Sequence, residues 1–275
     1  MLKPILITAI ILQSILMVVT FVVKLKEPIP QHTIVQPPSM EDVLEETEQP
    51  LPELVLEINQ RNKAIRSFSC DYVVIKTWEK GMRFRLNGEL YYEKDLTFRM
   101  ILDSVFGKEL DLGSNEEVFW YWSRRDKHPG LYWANHEDFN QTRLKTPFNP
   151  MFMRDTLGLN EIPQKGAKII DKEDSLLIVY ERTNSMGEPI LYSVVVGKKT
   201  KQIDGFLVTD IEGVPLALAE IKESQNGLPL QILYTWYEEG KILLIEFRNA
   251  KTNLHIPASN WQPPNETPKI NMAEE

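Results

Sequence analysis

The chain of 275 residues has a single cysteine, Cys70, so no intramolecular disulfide can brace it. A lone thiol among Phe68, Tyr72 and Val74 reads as a small buried strand residue. Histidine is also scarce: His32, His128, His136 and His255 are the four. His136-Glu137-Asp138 are adjacent loop residues, a poor arrangement for encircling an ion, so no metal is expected. There is no G-x-S-x-G elbow, no phosphate-binding P-loop, no G-x-G-x-x-G and no H-E-x-x-H. No catalytic residue is therefore assigned, no cofactor is expected, and the chain does not read as an enzyme. A surplus of positive charge is missing too. The 39 acidic residues outnumber the 31 basic ones, leaving a net charge of −8, which argues against nucleic acid as a partner. Carboxylates this frequent carry no acid–base signal of their own.

Charge is entirely absent from Pro4 to Val23, a run of 20 residues. As a helix it would span about 30 Å, the hydrocarbon thickness of a bilayer. Lys24, Lys26 and Glu27 follow directly, with no A-x-A-like cleavage site and no cysteine for lipid attachment. Residues 1–26 are thus expected to be a single-pass signal anchor that contacts the membrane, with a removed signal peptide as the alternative. Lys3 on one side and Lys24 and Lys26 on the other give little orientation bias. The bulk of the chain is placed outside the cytoplasm. Residues 27–50 form a tether rich in proline (Pro28, Pro30, Pro37, Pro38, Pro50) and acid (Glu41-Asp42, Glu45-Glu46). Proline removes donors and like charges repel, so such a segment reads as an extended spacer.

What the chain does have is alternation. From Arg83 to Trp122, Phe84, Leu86, Gly88, Leu90 and Tyr92 share one parity, opposite Arg83, Arg85, Asn87 and Glu89. Leu96, Phe98, Met100 and Leu102 repeat the pattern, as do Val118, Trp120 and Trp122. A period of two marks strands with one apolar and one wetter face. Turn residues at Glu93-Lys94-Asp95, Ser104–Gly107 and Gly113-Ser114-Asn115 join them into a meander. The apolar face is expected to line a place where something apolar is held. Its wall is assigned to Phe84, Leu86, Leu90, Phe98, Met100, Leu102, Trp120 and Trp122.

Leu51–Ile65 has apolar residues at helical spacing, with Glu53 and Glu57 early and Arg61, Lys63 and Arg66 late, as the helix dipole prefers. Residues 135–163 break the strand rhythm. Pro147, Pro150, Gly158 and Pro163 frame Met151, Phe152, Met153 and Leu157, a short helix starting at Pro150 that covers the core or acts as a lid. Seven further strands follow, joined by turns such as Asn226-Gly227. Residues 51–264 form the domain, and 265–275 read as a frayed polar tail. The fold class is mainly β (α+β): one large curved antiparallel sheet around a few helices, preceded by a transmembrane helix.

In order along the chain stand an amphipathic helix, a strand beginning Ser67-Phe68-Ser69, the Arg83–Leu90 hairpin strand and Phe106-Gly107 followed by Leu110-Asp111-Leu112. After them come Val118–Trp122, Leu228–Ile232 and Asn253–Pro264. This succession resembles the LolA/LolB-like superfamily of bacterial envelope lipoprotein carriers, over most of Leu51–Pro264. The resemblance implies a half-open antiparallel barrel with helices as a lid, a cavity for acyl chains of a lipid or lipoprotein, and no enzymatic activity. It also implies a domain in the periplasm, tethered here to the inner membrane where the family uses a cleaved signal or a lipidated cysteine. If the interior is filled instead, the same fold would serve as an envelope assembly factor that binds a protein partner.

Overall fold

A computed structural model of the chain describes residues 37, 50–79, 82–94, 97–126, 128–142 and 150–274. The expected anchor over residues 1–26 and nearly all of the 27–50 tether lie outside the described residues. Among the described residues no helix is long and apolar enough to cross a membrane.

Helix α1, Glu53–Lys63, follows Pro52, whose fixed φ starts the first turn without a side-chain cap. Glu53 sits in its first turn and Arg61 and Lys63 in its last. It buries Val55, Ile58 and Asn62. Six strands come next: β1 Ser67–Glu79, β2 Met82–Glu93, β3 Thr97–Ser104, β4 Gly107–Ser114, β5 Val118–Ser123 and β6 Leu131–Asn135. A 3-10 turn at His136–Gln141 and helix α2, Pro150–Asp155, separate them from the second run. That run is β7 Lys168–Asp171, β8 Ser175–Thr183, β9 Pro189–Gly197, β10 Gln202–Asp210, β11 Pro215–Gln225, β12 Leu228–Trp236, β13 Lys241–Arg248 and β14 Lys251–Thr252. The last strand is β15, Lys269–Asn271.

All of them join one 15-stranded sheet, ordered β15-β6-β5-β4-β3-β2-β1-β13-β12-β11-β10-β9-β8-β7, with β14 on β1. Two meanders thus meet where β1 pairs with β13. The single large sheet is as expected, but it is not wholly antiparallel. It is mixed, because β15 runs parallel to β6, and it does not close, because β15 and β7 are separate ends. Bulges between Cys70 and Val73, Leu102 and Asp103, and Val208 and Thr209 add local bend and twist, which sheets this wide need. The Lys269–Asn271 pairing also replaces the frayed tail: Met272 is buried against Phe119 and Ala134.

The core lies on the face that carries the helices. There Leu90, Tyr92, Phe98, Met100, Leu112, Ile232 and Tyr234 pack with Val55 and Ile58 of α1 and Phe152 and Met153 of α2. Asparagines tie α1 to the chain after α2. Asn62 Nδ2 donates to the carbonyls of Gly158 (3.0 Å) and Asn160 (2.9 Å). Asn59 exchanges two hydrogen bonds with the Ile162 backbone, at 2.8 and 2.7 Å. Tyr92 donates to Asn160 Oδ1 at 2.6 Å, fixing this segment to β2. In β8 and β9 the other face is apolar as well, where Leu177, Val179, Leu191 and Val195 form a second buried cluster. These strands therefore read as continuous apolar runs, unlike the alternating strands between Arg83 and Trp122.

Candidate functional site

Cross-strand partners point to the same face of a sheet, so the register places each residue of the expected wall. Leu90 pairs with Met100 and Met100 with Leu112; Tyr92 pairs with Phe98; Leu102 pairs with Leu110. Leu86, Leu90, Phe98, Met100 and Leu102 all belong to the main core cluster or pack against it. Phe84 shares their parity and is half-buried, with the Arg125 guanidinium 5.5 Å from its ring centre.

Trp120 and Trp122 do not join them. Trp120 pairs with Gly113 and Trp122 with Asp111, residues that alternate with the inward Leu110 and Leu112. Both tryptophans therefore stand on the opposite face, so six of the eight named residues share one face, and none of the eight borders the cavity described below. The turn sets this register: Asn115 Oδ1 accepts from the N–H groups of Glu117 and Val118, at 2.9 Å each, before β5 begins. A period of two within a strand does not carry its phase through a turn. Trp120 is instead fully buried beside an ion pair, donating from Nε1 to Asp111 Oδ1 at 3.2 Å. Lys108 Nζ lies 4.8 Å from the Trp122 ring centre.

A cavity of about 550 Å³ lies elsewhere, between α2, the His136–Gln141 turn, the β8–β9 hairpin, the end of β10, the start of β11 and the β12–β13 turn. Its apolar lining includes Phe139, Met151, Phe152, Ile190, Val208 and Leu216. Of the expected lid, Met151 and Phe152 line it, whereas Met153 and Leu157 are buried in the main core cluster. Phe152 belongs to both settings and packs edge-on against Tyr234, 6.2 Å between ring centres. The hairpins β8–β9, β10–β11 and β12–β13 turn at one end of the sheet, since these strands are consecutive antiparallel neighbours. Met186, Ile211, Val214 and Tyr237 are exposed at these turns, and Met186, Glu238 and Glu239 border the cavity.

Polar groups converge on one side. Asp155 accepts from Arg154 Nη2 at 2.8 Å on one oxygen and from Arg182 Nη1 at 3.1 Å on the other. The Arg182 guanidinium lies 4.2 Å from the centre of the Tyr192 ring. Burial pushes the Tyr192 hydroxyl well above the ordinary tyrosine range, so it stays protonated. Sequence reasoning missed Arg154, Arg182, Ile190, Tyr192 and Val208. No local pattern marks them, because 27 residues and a change of element separate Asp155 from Arg182. Among the described residues, no group of His, Cys, Asp and Glu is placed to hold a metal ion.

The chain thus combines a 15-stranded mixed β-sheet, two short helices packed on one face and a cavity beside the second helix. At the level of fold the chain resembles the LolA superfamily. A LolA superfamily protein from Nitrosomonas europaea superposes with a TM-score of 0.50 at 11% identity, over 76% of this chain and 97% of that one. A DUF1329 family protein from Desulfovibrio piger gives 0.52 at 10% identity, over 76% and 95%. No family model and no curated protein matches the sequence.

Proposed function

We propose that the protein is a membrane-tethered periplasmic carrier that holds acyl chains of a lipid or lipoprotein in the cavity beside α2, without enzymatic chemistry. The observation that carries this reading is the 550 Å³ apolar cavity in a fold shared with a LolA superfamily protein. Its size falls within the range of about 300–1,000 Å³ typical of small-molecule sites. Taking a chain of about sixteen carbons out of a bilayer costs roughly 12 kcal/mol at about 0.8 kcal/mol per methylene. Surface hydrogen bonds do not offset that; an apolar concavity does.

In this reading Met151 and Phe152 form the movable wall. Leu86, Leu90, Phe98, Met100 and Leu102 share a buried cluster with Phe152, and a longer chain would extend toward them and Phe84. The uncharged run Pro4–Val23 anchors the protein in the inner membrane and residues 27–50 let the domain work away from it. Uptake of a hydrophobic fluorescent probe by the purified protein, and its displacement by a long-chain fatty acid or phospholipid, tests the reading. A folded protein that takes up no probe would instead be an envelope assembly factor with a filled interior.

A further inference from the structure

Two residues that line the cavity each carry a buried donor with no hydrogen-bond partner among the described residues. They are Tyr192 Oη and Arg154 Nη1. Tyr192 is 5% exposed. Leaving a buried polar group unpaired is costly, so such groups call for an explanation. Both belong to the same constellation. Arg154 and Arg182 share Asp155, and Arg182 lies across the Tyr192 ring.

The charges facing the cavity decide what these donors suit. Asp155, Glu188, Glu238 and Glu239 outnumber Arg154 and Arg182, with His136 as a further basic group. Asp155 already balances guanidinium charge. A compact dianion such as a phosphate monoester would meet a net acidic surround. What remains is directed N–H and O–H rather than net positive charge, which suits a carbonyl oxygen. The neighbouring Met151, Phe152, Ile190 and Val208 suit the chain attached to it.

We propose that Tyr192 and Arg154 form a seat for an acyl carbonyl oxygen. The ligand is then an acyl ester or a fatty acid whose carbonyl end lies at this seat and whose chain runs along α2 and β9–β10. The inference rests on the acyl-carrier reading above and adds the chemistry of the ligand's polar end. Both donors are sealed from water in this arrangement, and Arg182, 41% exposed at its side chain, lies across the tyrosine ring. Reaching the donors therefore requires a side chain of this constellation to move, and exposed side chains change rotamer on the ps–ns timescale.

Three probes of equal chain length test the seat on the full-length protein: a fluorescent polyene fatty acid, its methyl ester, and the matching hydrocarbon without a carbonyl. Tyr192→Phe removes a hydroxyl that has no partner, so the variant keeps its packing. The proposal expects the acid, the ester or both to bind roughly tenfold tighter than the hydrocarbon, and Tyr192→Phe to abolish that difference. Preference for the acid identifies a free fatty acid; preference for the ester identifies an acyl ester. Equal binding of all three, unaffected by Tyr192→Phe, overturns the seat and leaves the carrier reading standing. Failure of every probe to bind overturns the carrier reading and the seat with it.

Discussion

Arg99 grips Asp111 through two parallel hydrogen bonds, from Nε to Oδ1 at 3.1 Å and from Nη2 to Oδ2 at 2.9 Å. The Asp111 side chain is 1% exposed, and Trp120 adds a third donor. Arg99 Nη1 reaches on to the carbonyl of Asn260, at 3.1 Å, which holds the chain after β14 against this face. Removing one partner of such a pair leaves a buried charge uncompensated. Asp111→Ala is expected to cost about 3–5 kcal/mol by chemical denaturation, with Arg99→Met costing less because Lys108 Nζ still lies 3.6 Å from Asp111 Oδ2. A double variant close to Asp111→Ala in stability confirms coupling; strict additivity would contradict it.

Gly113 stands directly under that tryptophan. A Cβ there would lie 2.5 Å from the Trp120 ring and 2.6 Å from the Phe98 carbonyl oxygen. Contact that close forces the sheet or the indole to move. Gly113→Ala should destabilise the fold by about 1–3 kcal/mol. Thermal unfolding checks this, and an unchanged midpoint would show that Trp120 is free to shift.

Glu109 is buried at the β3–β4 bulge, where Arg125 Nε donates at 2.9 Å and Ser104 at 2.6 Å. These hydrogen bonds, that from Arg125 first, hold its carboxyl below the usual glutamate range against the opposing effect of burial. Its folded value lies under its unfolded one. The contribution is therefore complete above about pH 4.3, the ordinary value, and is lost as pH falls through the folded value. Melting temperatures measured from about pH 5 down to pH 3 should fall more steeply for the wild type than for Glu109→Gln. Parallel curves would remove Glu109 from the acid response.

Ile190 is half-buried and lines the cavity at the start of β9. Ile190→Trp places a large ring in that space. Hydrophobic-probe binding should weaken roughly tenfold or more while the far-ultraviolet spectrum stays unchanged. Full binding by a folded variant would show that the probe sits elsewhere.

Local patterns made much of this fold legible. The parity of Leu86, Leu90, Phe98 and Met100 gave the inner face of β2 and β3, because strand side chains alternate wherever one face is buried. Asn226-Gly227 announced a hairpin, and both residues adopt the positive φ (54° and 77°) that a tight β11–β12 turn demands. The phase of Trp120 was not legible, since the Asn115 turn sets it. Nor was β15, because a three-residue parallel pairing has no hydrophobic pattern long enough to read. The cavity was the least legible feature. Arg154, Asp155, Arg182 and Tyr192 meet through tertiary packing, and nothing in their separate surroundings marks them.

The central claim is that this cavity holds acyl chains. Native mass spectrometry of the full-length protein, purified from its own membranes and followed by lipid extraction, tests it most directly. The account predicts a bound species of lipid mass at one per chain, yielding an acyl-containing lipid or lipopeptide on extraction. A folded protein that flies at its bare mass, with no acyl species in the extract, would contradict it.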